Sequence, residues 1–250
     1  ADGNVIKTCD YSSKKPAEKL FVSEGMNYFN WNMRYPDAVS FPGLILYSSN
    51  TRGPKAVPGN YKVKLTVNGE SVEQDFEIMK DPRIKSTQAD LQAQFDFLIE
   101  VRDKLSEAHQ AVIDIRKIKT DIDYLKGKLG EEATYQEIIT YAEELKKELT
   151  VIENNLHETR NEAYQDPLNF GIKLNNRLAF LATHEGEGDF RPTDQGMAYK
   201  EEVTAQINNE LADYKKLVDE GVGKINKMIK QENLDFIMVD VGNEESGQGQ

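Results

Sequence analysis

One short stretch of the sequence gathers side chains that could ligate a cation. Residues 184–189 bring together the imidazole of His184 and the carboxylates of Glu185, Glu187 and Asp189, separated by glycines. Hard cations such as calcium prefer oxygen ligands of this kind. The stretch lacks the ligand spacing of an EF-hand, however, and an acidic glycine loop is usually only solvated. We assign no metal ligand here, and whether this loop holds a cation stays open.

The sequence shows no pattern typical of a catalytic centre. Its 43 acidic residues offer many carboxylate pairs, so a pair alone does not indicate glycosidic chemistry. Ser86 and Ser106 occur with histidines in the same chain, but the nucleophile elbow Gly-x-Ser-x-Gly is absent. Gly223-Lys224 lacks the upstream glycine of a phosphate-binding loop. We therefore predict no catalytic residue and no cofactor.

Aromatic side chains in the first third of the chain are better candidates for a binding surface. Six of them could stack against a sugar or a peptide. They are Tyr28, Phe29, Trp31, Tyr35, Phe41 and Tyr47. Alternation puts Trp31 on a face with Phe29, so we expect Trp31 to be a core residue. Tyr28 alternates off that face and Tyr35 precedes a proline, and we predict these two tyrosines as the contact residues.

The elements that would position these aromatic residues read as antiparallel β-structure. Tyr61, Val63, Leu65 and Val67 alternate with polar residues, and Val72, Phe76 and Ile78 follow on a return strand. Asn68-Gly69 between them favours a type I′ hairpin turn. Residues 25–34 alternate too, and residues 44–47 form a further short apolar run. Together these patterns predict an immunoglobulin-like β-sandwich over residues 1–85.

The rest of the chain reads as long helices. Apolar residues recur every three or four positions from Leu91 to Leu129, after a capping signal at Thr87. A second stripe with heptad spacing runs from Tyr135 to Leu156.

A third, shorter helix is expected after Asp166-Pro167 and a fourth after Pro192-Thr193. Short connections favour an up-and-down bundle over residues 86–238. The apolar stripes could instead dock a partner, with a groove beside the short third helix as the best place for one. Residues 239–250 are polar and are predicted to be a disordered tail.

Composition limits the classes of function. The formal net charge is −12, from 31 basic and 43 acidic residues, whereas a nucleic-acid binder needs a basic face. Residues 1–85 carry a net charge of +2 and residues 86–250 a net charge of −14, and this shift supports a domain boundary near Pro82. The lone Cys9 excludes an internal disulfide. No apolar stretch is long enough to span a bilayer, so we expect neither nucleic acid nor a membrane span.

A set of short motifs runs in order along nearly the whole chain. The motifs are Gly25-x-Asn27-x-Phe29-x-Trp31-Asn32-x-Arg34-Tyr35-Pro36, Gly53-Pro54, Pro58-Gly59-x-Tyr61, Asp81-Pro82-Arg83, Asp90-Leu91-Gln92-Ala93-Gln94-Phe95, Asp166-Pro167-Leu168-Asn169-Phe170, Leu174-Asn175-Asn176-Arg177-Leu178-Ala179 and Arg191-Pro192-Thr193-Asp194-Gln195. In combination they resemble the C-terminal region of bacterial BNR-repeat proteins. Those proteins are labelled glycosyl hydrolases or sortilin-like, and their main body is a β-propeller.

The resemblance implies a non-catalytic accessory region of a longer secreted polypeptide. Its partner would be the upstream β-propeller of the same chain, and its place the periplasm, the cell exterior or the outer membrane. Any hydrolytic chemistry would belong to the propeller. The aspartate box Ser-x-Asp-x-Gly-x-Thr-Trp that marks such a propeller does not occur in this sequence, so no catalytic residue is carried over. The expected role is domain packing or recruitment of a partner or substrate.

Two other functions stay open. The chain could be a free-standing module that binds carbohydrate or protein, with Tyr28 and Tyr35 on its contact patch. It could also be a glycoside hydrolase in its own right, although no catalytic constellation supports that reading.

Overall fold

The structure, a computed structural model, describes residues 3–130 and 132–232. The predicted tail at 239–250 lies outside these residues. The two strands are β1 (Gly59–Val67) and β2 (Glu70–Ile78). The helices are α1 (Gln88–Leu129), α2 (Gln136–Leu156), α3 (Pro167–Phe170), α4 (Leu174–Glu185), α5 (Asp194–Lys216) and α6 (Gly223–Gln231), and a π-helical segment at Leu217–Val222 joins the last two.

Helix α1 begins and ends where the sequence predicts. The Thr87 side chain accepts a hydrogen bond from the backbone N–H of Asp90, and the Asp90 carboxylate accepts one from the backbone N–H of Thr87, which forms a capping box. At the other end the chain leaves the helix at Gly130, whose φ is 62°. The 42 residues of α1 span about 63 Å at 1.5 Å per residue, so this helix sets the length of the bundle.

The helices of the bundle lie along three parallel or antiparallel paths, which we call legs. An up-and-down arrangement of the four predicted helices would give four. Helix α2 runs antiparallel to α1, since Lys126 pairs with Glu143 and Arg116 with Glu153. Helix α4 runs in the same direction as α2, because Gln94, near the start of α1, bonds the carbonyl oxygen of Glu185, the last residue of α4. Helices α2 and α4 are therefore two parts of one descending leg.

The third leg returns alongside α1. Lys200 pairs with Glu100 and Tyr214 with Asp114, so α5 and α1 run parallel. The π-helical segment and α6 continue this leg onto α2, where the Lys224 ammonium lies 3.9 Å from the Tyr141 ring centroid. The predicted start of this leg is confirmed, because Thr193 caps α5 by accepting a hydrogen bond from the backbone N–H of Gly196.

The predicted third helix is divided in two. Helix α3 ends at Phe170, and Gly171 follows with a φ of 80°, a left-handed conformation that a helix interior does not contain. Helix α4 starts again at Leu174. Helix α4, which follows the break, packs against α1 and continues in the direction of α2.

The predicted hairpin is confirmed. Strands β1 and β2 are antiparallel, with Tyr61 opposite Phe76 and Leu65 opposite Val72. The turn has positive φ at both central residues, 51° at Asn68 and 85° at Gly69, as a type I′ turn requires.

The predicted immunoglobulin-like sandwich is wrong. In the described residues the only sheet is the two-stranded hairpin, and the chain is mostly helical. Residues 25–34 and 44–47, which alternate or are apolar enough for strands, form no strand there. Instead the segment 35–51, which we call the strap, lies along the bundle and buries Ala38, Phe41 and Leu46 in the bundle core. Side chains of the helices, rather than a second sheet, bind much of the backbone of this segment.

Candidate functional site

The hairpin has one apolar face and one charged face. Opposed pairs such as Leu65 with Val72 lie on the first face, and opposed pairs such as Lys62 with Asp75 lie on the second. On the charged face the Lys62 ammonium is 2.9 Å from a carboxylate oxygen of Glu73. The charged face is therefore suited to water, and the apolar face needs a cover.

Trp31 covers only the base of the apolar face. Its ring contacts Tyr61 and Phe76 edge-on, with centroid distances of 6.1 and 6.4 Å. The indole N–H donates a hydrogen bond to the carbonyl oxygen of Arg34 at 3.0 Å, which fixes the ring over this end of the hairpin. Trp31 is expected in a core. It packs instead in a small aromatic cluster with Tyr61 and Phe76, outside the bundle core.

Within residues 3–130 and 132–232, nothing covers the outer half of the apolar face. Its four aliphatic side chains are between 53 and 71% exposed. They are Val63, Leu65, Val67 and Val72, which we call the open hairpin face. A shallow depression of about 370 Å³ lies along it, next to the turn. A two-stranded hairpin is at best marginally stable alone in water, and exposed apolar patches of this kind are typical of interaction surfaces.

More apolar side chains are exposed just before the hairpin in the sequence. They are Phe21, Val22, Met26, Tyr28, Phe29 and Met33, with exposures from 50 to 96%. Single exposed apolar residues are ordinary on protein surfaces. Here they follow one another within thirteen residues of irregular chain, so the region before α1 carries a concentration of apolar surface.

The two predicted contact tyrosines have different surroundings. Tyr28 is 87% exposed in the irregular chain before the strap. Tyr35 is half-buried, with its ring centroid 4.8 Å from that of Phe95 on α1. Only Tyr28 thus presents a whole ring to a ligand. That these residues bind carbohydrate or protein stays a prediction.

Side chains of α1 hold the strap by its backbone. The Arg102 guanidinium donates to the carbonyl oxygen of Pro36 and that of Arg116 to the carbonyl oxygen of Pro42, both at 3.0 Å. Between them the Ser106 hydroxyl accepts from the backbone N–H of Val39 at 3.1 Å. Successive positions on α1 are four and ten residues apart, and they form a polar stripe beside the apolar one.

The far end of the strap is fixed by α4 and the loop before it. The backbone N–H of Tyr47 donates to the Asn176 amide oxygen at 2.8 Å, and the Asn176 amide nitrogen donates to the carbonyl oxygen of Tyr47 at 3.1 Å. The Tyr164 hydroxyl accepts from the backbone N–H of Ser48 at 3.2 Å. The strap thus joins α1 to α4.

Beneath the strap lies a buried cluster of two imidazoles and one amide. The amide nitrogen of Asn175 is 3.2 Å from Nε2 of His109 and 3.3 Å from Nδ1 of His157. His109 is fully buried and the other two residues are 2% exposed. The Phe41 ring of the strap lies over both imidazoles, with centroid distances of 5.1 and 5.0 Å. We call these three residues, His109, His157 and Asn175, the imidazole cluster.

Both imidazoles are held in the neutral form. Burial lowers the pKa of His109, although the hydrogen bond to the carbonyl oxygen of Val39 opposes this effect. Burial, the Arg116 guanidinium and His109 together lower the pKa of His157 to about 4, against the opposing influence of Glu153 and Glu158. A neutral, enclosed imidazole pair suits a structural role better than proton transfer to an outside substrate.

One buried carboxylate next to the cluster is fully paired. Glu153 receives hydrogen bonds from the Arg116 guanidinium at 2.7 Å and the Lys119 ammonium at 2.9 Å. Burial opposes its ionisation, but these bonds and charges outweigh burial and lower the pKa of the Glu153 carboxyl. Glu153 therefore joins α2 to α1 through these two ion pairs.

Side chains of the loop at 184–189 contact separate protein groups and do not converge on one point. The Glu185 carboxylate accepts from the backbone N–H of Thr193 at 3.0 Å and from the Thr193 hydroxyl at 2.7 Å. The His184 ring packs on Phe180, and Asp189 lies 3.8 Å from the Lys55 ammonium. Within residues 3–130 and 132–232, no group of three or more His, Cys, Asp or Glu side chains could hold a metal ion.

An uncharged groove lies between the strap and Tyr164. It has a volume of about 360 Å³, and its lining includes Leu44, Ile45, Ser40 and Thr51 of the strap together with Tyr164. The Tyr164 ring is 59% exposed. A neutral groove with an aromatic wall and hydroxyl groups can hold a small uncharged ligand.

Comparisons of the chain with protein-family models, with curated proteins and with solved structures find no match. In the part of the chain that the structure describes, no helix is long and apolar enough to cross a membrane.

Sequence reasoning missed the imidazole cluster and the groove at Tyr164. A signal for His109 was present, because His109 follows Leu105 by four residues and precedes Val112 by three, inside the apolar stripe of α1. Its partners lie 48 and 66 positions further on, at His157 and Asn175. No local pattern connects such positions, so the cluster becomes visible only in the folded chain.

Proposed function

We propose that this chain is a non-catalytic accessory module that packs against another domain of the same polypeptide through the open hairpin face. The helical bundle serves as its rigid base. The resemblance in the sequence makes the upstream β-propeller the partner, in a secreted or periplasmic protein. The observation that carries the proposal is the outer half of the hairpin, where four aliphatic side chains on one face are more than half exposed.

Sheet packing explains why a β-rich partner fits this surface. Two sheets pack face to face about 10 Å apart through interdigitating apolar side chains. The open hairpin face supplies one such layer, and the ion pair between Lys62 and Glu73 keeps the opposite face in water. The apolar residues between Phe21 and Met33 would enlarge the contact.

Cross-linking in the native polypeptide tests this proposal. A photoreactive phenylalanine derivative is placed at Leu65, on the open hairpin face, and in a matched variant at Lys64, on the charged face. After irradiation of cells, the products are sized by blotting and mapped by mass spectrometry. We expect a native polypeptide far larger than 28.4 kDa, with cross-links from position 65 to propeller peptides and few from position 64.

Three outcomes would contradict the proposal. A native polypeptide of 28.4 kDa would remove the upstream partner. Equal cross-linking from positions 64 and 65 would show that the apolar face has no special contact. Cross-links only to a second copy of the hairpin would make the face a self-association surface.

A second candidate function is binding of a small neutral sugar, as in a free-standing carbohydrate-binding module. The observation that favours it is the uncharged groove with the exposed Tyr164 ring. Saturation-transfer NMR with methyl glycosides of glucose, galactose and mannose tests it. If the groove binds sugar, Tyr164→Ala abolishes the signal and Tyr28→Ala leaves it unchanged. Loss in Tyr28→Ala alone would favour the patch predicted from the sequence, and no signal from any glycoside would contradict sugar binding.

A further inference from the structure

We propose that the strap is an acid-labile clasp, which closes over the neutral imidazole cluster and is released from the bundle when His109 and His157 take up protons. The proposal concerns the attachment of residues 35–51 to the bundle. It is independent of what covers the open hairpin face.

The strap provides the lid that keeps water from the cluster. Phe41 contacts both imidazole rings edge-on, and the carbonyl oxygen of Val39 lies against Nδ1 of His109. Both residues belong to the strap, whereas the two histidines belong to α1 and to the end of α2. Lifting the strap would therefore expose both rings to solvent without requiring the helices to unfold.

Hydrogen-bond directions require both imidazoles to be neutral while the strap is closed. The amide oxygen of Asn175 accepts from the backbone N–H of Asn176 at 2.7 Å, which orients the Asn175 amide nitrogen towards the two rings. That nitrogen only donates, so Nε2 of His109 and Nδ1 of His157 must both accept. A proton on either ring nitrogen would place two donors against each other in a buried site.

Among the described residues, the two carboxylates near the cluster, Glu153 and Glu158, are both paired with cationic side chains. Arg116 faces it from α1, with the guanidinium 4.7 Å from the Phe41 ring centroid. Glu153 faces it from α2 but is bound by Arg116 and Lys119.

On the loop after α2, the second nearby carboxylate is also engaged. Glu158 is bound by Arg160 at 2.7 Å, and Lys173, just before α4, adds a further positive charge near it. The Arg160 bonds and these charges lower the pKa of Glu158 to about 2 although burial opposes them. An imidazolium under the strap would thus meet Arg116 without a free carboxylate.

The direction of the pH effect follows from linkage. With the strap open, a solvated imidazole has a pKa near the ordinary value of 6.5, whereas the pKa of His157 under the closed strap is about 4. The open state therefore binds more protons between about pH 4 and pH 6.5, and acidification through this window favours opening. From these two pKa values, His157 alone increases the ratio of open to closed strap about 30-fold between pH 7.5 and pH 5.

Hydrogen–deuterium exchange of the whole chain tests the clasp. Exchange rates are measured at about pH 7.5 and pH 5 and divided by the intrinsic rate at each pH. In the closed protein the backbone N–H groups of Val39 and Tyr47 are bonded to the helix side chains of Ser106 and Asn176. We expect strap peptides to lose protection by at least tenfold at the lower pH, while peptides around Leu149 of α2 keep theirs.

Variants distinguish the cluster from other acid effects. The double variant His109→Gln, His157→Gln cannot take up these protons, and we expect its strap protection to be the same at both pH values. His184→Gln is the matched control, because His184 is exposed and packs on Phe180 away from the cluster. It should keep the pH dependence of the wild type.

The proposal is overturned if strap protection does not change with pH, if α1 and α2 lose protection together with the strap, or if the double variant keeps the wild-type pH dependence. Should the double variant fail to fold, the wild-type protein gives the answer by NMR. The chemical shift of the ring Cε1 proton of His157 must then change over the same pH range in which the strap opens. Titration near pH 6.5 with the strap still protected would overturn the clasp.

Discussion

Gly53 lies directly against the backbone of Tyr35, so that a methyl group on Gly53 would be 2.2 Å from the carbonyl oxygen of Tyr35. The contact is secured from both sides. The Arg34 guanidinium donates to the carbonyl oxygen of Gly53 at 2.8 Å, and the Asp37 carboxylate accepts from its backbone N–H at 3.0 Å. This close approach brings the two ends of the strap together and gives a physical reason for glycine in the motif Gly53-Pro54.

Gly53→Ala is expected to lower the free energy of unfolding by about 1–3 kcal/mol, because the added methyl group meets backbone atoms that cannot rotate away. Urea denaturation measures the change. The control is Gly127→Ala in α1, where a methyl group would meet nothing within 4 Å and should stabilise the helix by about 0.5–1 kcal/mol. Equal effects of the two substitutions would contradict the packing seen at Gly53.

Removing the Glu153 carboxylate should weaken the joint between α1 and α2. Glu153→Ala leaves Arg116 and Lys119 without their counterion and is expected to cost about 2–4 kcal/mol. The lower half of that range is favoured because the Arg116 side chain is 36% exposed and reaches water. Glu143→Ala removes the more exposed pair with Lys126 and should cost less than about 1 kcal/mol. Thermal unfolding of both variants makes the comparison, and a smaller loss at Glu153 than at Glu143 would contradict it.

Two leucine-to-alanine substitutions separate surface from core. Leu65 is 58% exposed on the open hairpin face, and Leu149 is fully buried in the bundle. We expect Leu65→Ala to change the free energy of unfolding by no more than about 0.5 kcal/mol. Leu149→Ala should cost about 2–5 kcal/mol, because it leaves a cavity. A large loss of stability in Leu65→Ala would mean that the hairpin face is already covered within this chain.

The capping box of α1 predicts a measurable change in the pKa of Asp90. Hydrogen bonds from the Thr87 hydroxyl and backbone, with a further one from Arg191, lower this pKa to about 2. Thr87→Ala should therefore raise the pKa of Asp90 more than Arg191→Ala does, as NMR titration of the carboxyl carbon would show. The larger rise in Arg191→Ala would contradict this ranking.

The same cap has a defined pH window. Because the Asp90 pKa is lower in the folded chain than its usual value of 3.8, its stabilisation is complete above that value. It is lost as the pH falls towards 2. Loss of the cap in Thr87→Ala should also cost about 1 kcal/mol near neutral pH.

Local signals explain the elements that the sequence predicted well. Thr87 and Asp90 lie together at the start of α1, and Asn68-Gly69 forms the hairpin turn by itself. Each depends on hydrogen bonds or backbone angles within a few residues. The residues that determine such features are close together in the sequence, so these features can be predicted without the rest of the fold.

The missing sandwich has the opposite cause. Residues 44–47 are apolar enough for a strand, yet Leu46 is buried against the bundle, and Tyr47 bonds Asn176 rather than a neighbouring strand. Polar residues of α1 such as Ser106 resemble solvent-facing positions but bind the strap. This conformation depends on partners that lie 67 and 129 residues away in the sequence. The periodicity of apolar residues within a segment does not identify such partners.

The leg that α2 and α4 share was also beyond local patterns. The sequence marks a helix start at Asp166-Pro167, and the structure has the short α3 there. It does not tell whether the next helix reverses direction or continues along the same leg. Contacts of Asn175 and Gln94 with distant residues settle that question, together with the break at Gly171.

The bond between Tyr47 and Asn176 joins residues 129 positions apart, and this distance has a consequence for synthesis on the ribosome. At about 5–20 residues per second, several seconds separate the emergence of these two residues. During that interval the strap has no α4 to bind, and Phe41 has no imidazole cluster to cover. The strap is therefore synthesised early but reaches its final contacts late, and its apolar side chains are open to chaperones in the meantime.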